Sequence, residues 1–89
     1  MQFEWNHKKA KSNLRKHGVS FIEAVDVFND DFSSTVLDPD GSRGEFRYLT
    51  FGRTLAFRSL VVSYTERGER IRLISARTMT VRERKAYEE

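Results

Sequence analysis

The 89-residue chain has no cysteine, only one proline and no long hydrophobic run. Without cysteine, a disulfide framework and a thiolate metal site are both excluded. The N-terminal residues MQFEWNHKK lack the apolar core of a signal peptide, and no stretch approaches the roughly 18 apolar residues that a membrane span needs. We therefore expect a soluble, cytoplasmic protein that has no membrane partner.

The composition is polar but compatible with a small folded core. Hydrophobic residues make up 38% of the chain and charged residues 33%, while seven Phe, three Tyr and one Trp supply bulky apolar groups. The length is that of one small domain. No repeat, linker or low-complexity segment interrupts it, so we predict a single domain over residues 1–89.

Basic residues are concentrated on both sides of an acidic segment. Residues 1–41 carry five Lys/Arg against seven Asp/Glu, whereas residues 42–89 carry eleven against six. Eleven of the sixteen basic residues are arginine, whose planar fork of donors suits phosphate. A nucleic acid is the polyanionic partner that this pattern favours. The alternative is that the arginines only keep a small domain soluble.

Two consecutive helices are predicted in the N-terminal third. Asn6 is a suitable N-cap for a helix that runs through His17, and Gly18 follows where a left-handed backbone commonly ends a helix. Ser20 and Glu23 have the spacing of a capping box, in which the serine hydroxyl and the glutamate carboxylate each accept a backbone N–H of the other. A second helix therefore begins there and ends at the polar run NDD.

The rest of the chain is predicted to be mainly extended. Strand-like patterns cover residues 2–5, 34–38, 46–52, 59–65 and 70–76. Residues 39–45 are rich in breakers, and residues 66–69 predict a tight hairpin connection. A capping box at Thr80 and Glu83 opens a last helix that reaches the C-terminus. We predict an α+β two-layer domain with N-terminal helices packed on a small, mainly antiparallel sheet, and a C-terminal helix.

The alternation at residues 70–77 raises a question about two arginines. In a regular strand Arg72 shares a face with Ile74 and Ala76, so its guanidinium lies on the sheet surface beside packed residues. Arg77 would then point to the opposite face. Either the strand ends before Arg77, or the two arginines have different roles.

The residue types are compatible with one kind of catalysis, the cleavage of RNA without a metal ion. The two histidines lie ten residues apart with no spaced carboxylates, and neither a G-x-S-x-G nor a phosphate-loop motif is present. We therefore expect no metal and no cofactor. RNA cleavage by its own 2′-hydroxyl needs only proton-transfer groups and cations. The proton-transfer candidates are Lys16, His17, Glu83 and Tyr87, and the charge-stabilising candidates are Arg47, Arg72 and Arg77.

Several of these residues also have ordinary structural explanations. A histidine in the last helical turn, such as His17, interacts favourably with the helix dipole when charged. Glu83 is accounted for by its capping box, and Tyr87 by core packing with an exposed hydroxyl. Arg72 and Arg77 have the weakest structural explanation, because a surface strand has little need of a guanidinium.

Three phrases of the chain resemble the BrnT family of bacterial toxins. They are FEW…KA…N…KHGVSFIEAVDVF in residues 3–28, then GEFRYLTFG, then VVSYTERGERIRLISARTMTVRERKAYEE. The resemblance implies a RelE-like fold and an endoribonuclease that cleaves RNA and arrests translation. It also implies neutralisation by a BrnA-type antitoxin. The antitoxin has a DNA-binding part, so the toxin would be linked to DNA only indirectly.

The same resemblance marks characteristic positions along the chain. Among them we assign Lys9, Arg67 and Arg82 to RNA binding, beside the seven catalytic candidates. Phe51, Phe57 and Met79 are candidate apolar contacts for the antitoxin. Two alternatives stay open: a nucleic-acid-binding or regulatory module without chemistry, and a degenerate toxin that only binds its antitoxin.

Overall fold

The computed structural model describes residues 1–41 and 45–88, and it has the predicted α+β character. The strands are β1 (Gln2–Glu4), β2 (Ser34–Leu37), β3 (Tyr48–Arg53), β4 (Ser59–Arg67) and β5 (Arg70–Thr78). The helices are α1 (His7–His17), α2 (Phe21–Ala24), a 3-10 helix at Val25–Asn29, and α3 (Val81–Glu88). None of the helices in these two ranges is long and apolar enough to cross a membrane.

The five strands form one sheet in the order β1-β5-β4-β3-β2. β2, β3, β4 and β5 pair antiparallel in sequence order, and β1 pairs parallel to the first residues of β5. The predicted hairpin is present, with Gly68 at φ 62° in its two-residue turn. The predicted loop at 39–45 falls partly on residues 42–44, which lie outside the described residues.

The two N-terminal helices begin and end at the residues that the sequence indicates. The Asn6 side chain accepts hydrogen bonds from two backbone N–H groups of the first turn of α1, and Gly18 ends that helix at φ 68°. The Ser20 hydroxyl accepts from the N–H of Glu23 at 3.0 Å. The second predicted bond of this capping box, from the Ser20 N–H to the Glu23 carboxylate, is wrong, because that carboxylate instead accepts the Thr54 hydroxyl across the domain.

α1, α2 and the 3-10 helix cover one face of the sheet, which we call the helical face. Its core contains Val19, Phe21, Ala24, Val27, Leu60, Val62, Tyr64, Ile71, Leu73 and Ala76. Gly52 lets the 3-10 helix approach β3 closely, because a Cβ there would lie 2.7 Å from Cγ1 of Val27. The second predicted helix is divided into α2 and the tighter 3-10 helix that follows it directly.

A β-bulge in β5 changes which side chains share a face. Ser75 pairs with Ser63 and Leu73 pairs with Tyr64, so Ile74 is the extra residue. Beyond the bulge the alternation is shifted by one, and Ala76 joins Leu73 in the core. The expectation that Ala76 shares a face with Arg72 is therefore wrong. Arg77 lies on the same face as Arg72, because β5 continues past it with a bulge and is not a regular strand.

The other side of the sheet, which we call the open face, is free of the N-terminal helices. The register places these side chains on it: Glu4, Leu49, Phe51, Val61, Ser63, Thr65, Arg67, Arg70, Arg72, Ser75 and Arg77. α3 lies over one end of this face, where its residues and those of β2 and β3 line a common cleft. α3 is the predicted C-terminal helix, and it adjoins the sheet on the side opposite the N-terminal helices.

Candidate functional site: an arginine face beside the C-terminal helix

The open face carries a row of arginines along β5. Arg72 and Arg77 pair with Thr65 and Val61 of β4, which lie four residues apart on one strand. At about 3.4 Å per residue, the two arginine Cα atoms are roughly 14 Å apart. Between them the surface is made of small residues, with Ser63 buried and Ser75 half-buried. The two long side chains therefore border a shallow stretch of sheet.

Arg72 is held in place by a carboxylate on the adjacent strand. Its Nη1 donates to Oε2 of Glu4 at 2.7 Å, and Arg70 contacts the other oxygen of Glu4 at 3.5 Å. The hydrogen bond from Arg72 lowers the pKa of Glu4, despite partial burial that acts in the opposite direction. Glu4 is therefore ionised at neutral pH and orients a guanidinium that stays half-exposed.

Arg77 forms a two-point ion pair with the first turn of α3. Its Nη1 and Nη2 donate to Oε1 and Oε2 of Glu83 at 2.7 and 3.0 Å. Glu83 also completes a full capping box with Thr80, at 2.9 and 3.1 Å. The hydrogen bonds from Arg77 lower the pKa of Glu83 to about 2, and the same pair raises the pKa of Arg77. Glu83 is thus a carboxylate with weak basicity for as long as Arg77 holds it.

Tyr87 ties the far end of α3 to the body of the domain. Its hydroxyl donates to Oδ2 of Asp30, which also accepts the backbone N–H of Arg53 at 2.8 Å. Burial and the neighbouring Asp30 carboxylate raise the pKa of Tyr87 to about 12. Burial raises the pKa of Asp30, but the hydrogen bonds that it accepts lower it by more. Tyr87 is therefore protonated across the physiological range, with its proton directed at Asp30.

The predicted proton-transfer residues are not all brought together. Lys16 and His17 lie exposed in the last turn of α1, and in the described ranges no side-chain hydrogen bond or ion pair joins them to the arginine face. Leu14, one turn before His17 in the same helix, is also exposed. Arg47 is half-buried immediately before β3.

The predicted RNA-binding residues occupy three separate places. Lys9 is exposed in the first turn of α1, away from the open face. Arg67 lies on the open face at the hairpin end of β4, where it pairs with Glu45 at 3.3 Å. Arg82 is exposed on α3 and lines the cleft beside β2 and β3. Arg67 and Arg82 therefore lie at opposite ends of the face that Arg72 and Arg77 border.

Two carboxylates important to this arrangement were missed from the sequence. Glu4 and Asp30 contact residues 68 and 57 positions away, and no local spacing indicates either pairing. Of the three predicted apolar antitoxin contacts, Phe57 is exposed and Phe51 is half-buried, whereas Met79 is buried. Across residues 1–41 and 45–88, no group of three or more His, Asp or Glu side chains is placed to hold a metal ion.

The fold and this face define the class of protein: a small α+β domain with a line of arginines on an open sheet surface, suited to a polyanion. A family model described as the ribonuclease toxin, BrnT, of a type II toxin-antitoxin system matches residues 5–83. The chain therefore belongs to the BrnT family of ribonuclease toxins. The predictions of a type II toxin and of ribonuclease activity are confirmed by this membership, which implies an RNA substrate and a protein antitoxin.

A solved structure supports the fold. The crystal structure of the Brucella abortus ribonuclease toxin, BrnT, matches with a TM-score of 0.66 and 22% sequence identity. The match covers 90% of this chain and 97% of that one. No curated protein sequence matches the chain significantly.

Proposed function

We propose that the protein is a metal-independent endoribonuclease that binds a single RNA strand across the open face. The observation that carries this proposal is the bulge in β5, which brings Arg72 and Arg77 to the same side of the sheet. Two arginines whose Cα atoms are roughly 14 Å apart can contact different phosphates of one strand. The small residues between them leave the sheet surface accessible to the sugar-phosphate chain.

Cleavage would proceed by attack of a ribose 2′-oxygen on the adjacent phosphorus, with departure of the 5′-oxygen of the next nucleotide. The pentavalent phosphorus carries extra negative charge, which arginine hydrogen bonds stabilise without any reorganisation of solvent. We assign Arg77 and Arg72 to the phosphates, with Arg47 assisting. A phosphate that binds Arg77 competes with Glu83 for the same guanidinium.

The competition for Arg77 gives Glu83 a role in proton transfer. When Arg77 turns to the phosphate, Glu83 keeps its capping box with Thr80 but loses the hydrogen bonds that lower its pKa most, and its basicity rises. It can then accept the proton of the 2′-hydroxyl. Tyr87 is protonated and suits the role of acid once its hydroxyl leaves Asp30. Lys16 and His17 are retained as alternatives for either step.

The family membership extends the proposal to partners. We propose that the fold is RelE-like, that cleavage of mRNA arrests translation in the cytoplasm, and that a BrnA-type antitoxin neutralises the protein. An acidic antitoxin segment that covers the arginine face would compete with RNA for the same guanidinium groups. DNA would be contacted only through the antitoxin. Growth arrest on expression, relieved by coexpression of the neighbouring open reading frame, tests this part.

The chemistry is tested by the products formed in the presence of EDTA. Purified protein is incubated with RNA, free and on translating ribosomes, and both new ends are analysed. The proposal predicts cleavage that leaves a 2′,3′-cyclic phosphate and a 5′-hydroxyl, because the 2′-oxygen is the nucleophile. A requirement for a divalent metal, or products with a 3′-hydroxyl, would contradict it. RNA that is bound but not cleaved would identify a non-catalytic binding module. Binding of the antitoxin, with neither binding nor cleavage of RNA, would identify a degenerate toxin.

A further inference from the structure

A cleft of about 540 Å³ opens between α3 and the β2-β3 edge of the open face. Its residues are Phe32, Ser34, Val36, Phe51, Arg82, Glu83, Ala86 and Tyr87. The volume lies within the usual range of small-ligand sites. Three aromatic rings, two aliphatic side chains and few polar groups line it, so the cleft is more apolar than the arginine row that adjoins it.

The cleft is continuous with the arginine face. Phe51 pairs with Val61 of β4, and Val61 pairs with Arg77 of β5, so the three residues form one row across the sheet. With neighbouring strands about 4.8 Å apart, the Cα atoms of Phe51 and Arg77 are roughly 10 Å apart. Glu83 belongs to both places, since it lines the cleft and binds Arg77.

The aromatic groups of the cleft are available to a ligand. The Phe32 side chain is 84% exposed, although it belongs to a type of residue that is usually buried. Phe51 is half-buried, and so is Tyr87, whose hydroxyl donates to Asp30. Rigid aromatic faces beside cations are the arrangement that proteins use to stack the bases of a single strand while holding its phosphates.

We propose that this cleft is a nucleobase-binding subsite, in which one base of the RNA stacks against Phe32 and Phe51 while Arg77 and Arg82 contact the flanking phosphates. The inference rests on the proposed binding of RNA across the open face. It assigns Phe32 and Phe51 as the residues that hold a base next to the cleaved bond. Because every base has an aromatic face, stacking supplies affinity, and the shape of the cleft supplies the preference.

The test measures binding without cleavage. A short oligonucleotide with 2′-O-methyl groups cannot be cut by its own 2′-oxygen, and its affinity can be measured by fluorescence anisotropy. A series of such oligonucleotides, each with one abasic position, is titrated with the wild-type protein and with Phe32→Ala, Phe51→Leu and Phe57→Ala. Phe57 is the matched control, because it is 81% exposed and lies outside the cleft.

We expect one abasic position to weaken binding of the wild-type protein and of Phe57→Ala by roughly 5- to 150-fold, the range for one base-aromatic stack. In Phe32→Ala or Phe51→Leu the same abasic change should weaken binding by a clearly smaller factor than in the wild-type protein, because one of the two aromatic faces that the base contacts is already lost. Equal abasic effects in all four proteins, or wild-type protein that does not bind the oligonucleotide, would overturn the inference. If the abasic effect differs between the proteins as expected but the wild-type protein does not cleave ordinary RNA, the proposed chemistry is contradicted and the proposed subsite is not.

Discussion

The buried side chain of Asn13 joins α1 to the segment after it and to β5. The hydrogen bonds that it makes set the loss of unfolding free energy expected when it is removed. Its Nδ2 donates to the carbonyl oxygens of Val19 and Ala76 at 3.0 and 2.8 Å, and its Oδ1 accepts the N–H of Ala76 at 3.0 Å. Among the residues that the structure describes, β1 pairs with β5 only at Arg70–Arg72, and Asn13 occupies the edge of β5 at Ala76 like a short strand.

Asn13→Ala leaves three buried backbone groups without partners. At about 1 kcal/mol for each lost hydrogen bond, the variant should lose about 3 kcal/mol of unfolding free energy. That is a large part of the stability of a small domain. In a urea titration the midpoint should fall by about 1–3 M, with the slope unchanged. Lys11→Ala, at an exposed position of the same helix, should change the unfolding free energy by less than about 0.5 kcal/mol.

Asn13→Asp separates hydrogen bonding from packing. It keeps the shape and the acceptor for the Ala76 N–H, but it places a carboxylate oxygen against two carbonyl oxygens. We expect it to be at least as destabilising as Asn13→Ala at neutral pH. A loss below about 1 kcal/mol in both variants would refute the reasoning.

Three further predictions follow from close contacts and pKa shifts. Gly52→Ala places a methyl group against the neighbouring 3-10 helix and should lower the unfolding free energy by about 1–3 kcal/mol in a urea titration. The pKa of Glu83 falls from its ordinary 4.5 to about 2 on folding, so its contribution to stability is present above about pH 4.5 and is lost as the pH falls toward 2. Glu83→Gln should therefore flatten the acid dependence of the unfolding free energy over that interval. An unchanged slope would contradict the assigned pair with Arg77. Tyr87→Phe removes the hydrogen bond to Asp30 and should speed amide exchange in α3 selectively, whereas uniform or absent acceleration would show that this contact does not anchor the helix.

Local signals predicted most of the secondary structure. The N-cap at Asn6, the left-handed residue Gly18 and the two capping boxes each depend on residues fewer than five positions apart. Such motifs can be recognised in one dimension because their hydrogen bonds are local. The capping box at Ser20 shows the limit of this reasoning, since a partner from another part of the chain takes the Glu23 carboxylate.

The candidate site depended on contacts that no local pattern indicates. Alternation in a regular strand places Arg72 and Arg77 on opposite faces, and only the pairing with β4 shows that Ile74 is an extra residue. The parallel pairing of the three-residue strand β1 with β5 brings Glu4 to Arg72 in the same way. Residue types thus predicted the chemistry, whereas the three-dimensional pairing determined which groups meet.

The proposed binding of RNA on the open face is tested most directly by two variants with equal charge loss. Arg72→Gln with Arg77→Gln removes two positive charges from the open face, and Lys11→Gln with Arg15→Gln removes two from the exposed side of α1. Initial rates of RNA cleavage are measured for both double variants at one ionic strength, after circular dichroism has shown that each is folded. We predict that the cleavage rate of the open-face variant falls by at least about 100-fold, because charge stabilisation of the transition state is lost. The rate of the α1 variant should change by less than about threefold, because only the general charge of the protein is altered. Equal losses in the two variants, or a folded open-face variant that cleaves at the wild-type rate, would contradict the assignment of the open face.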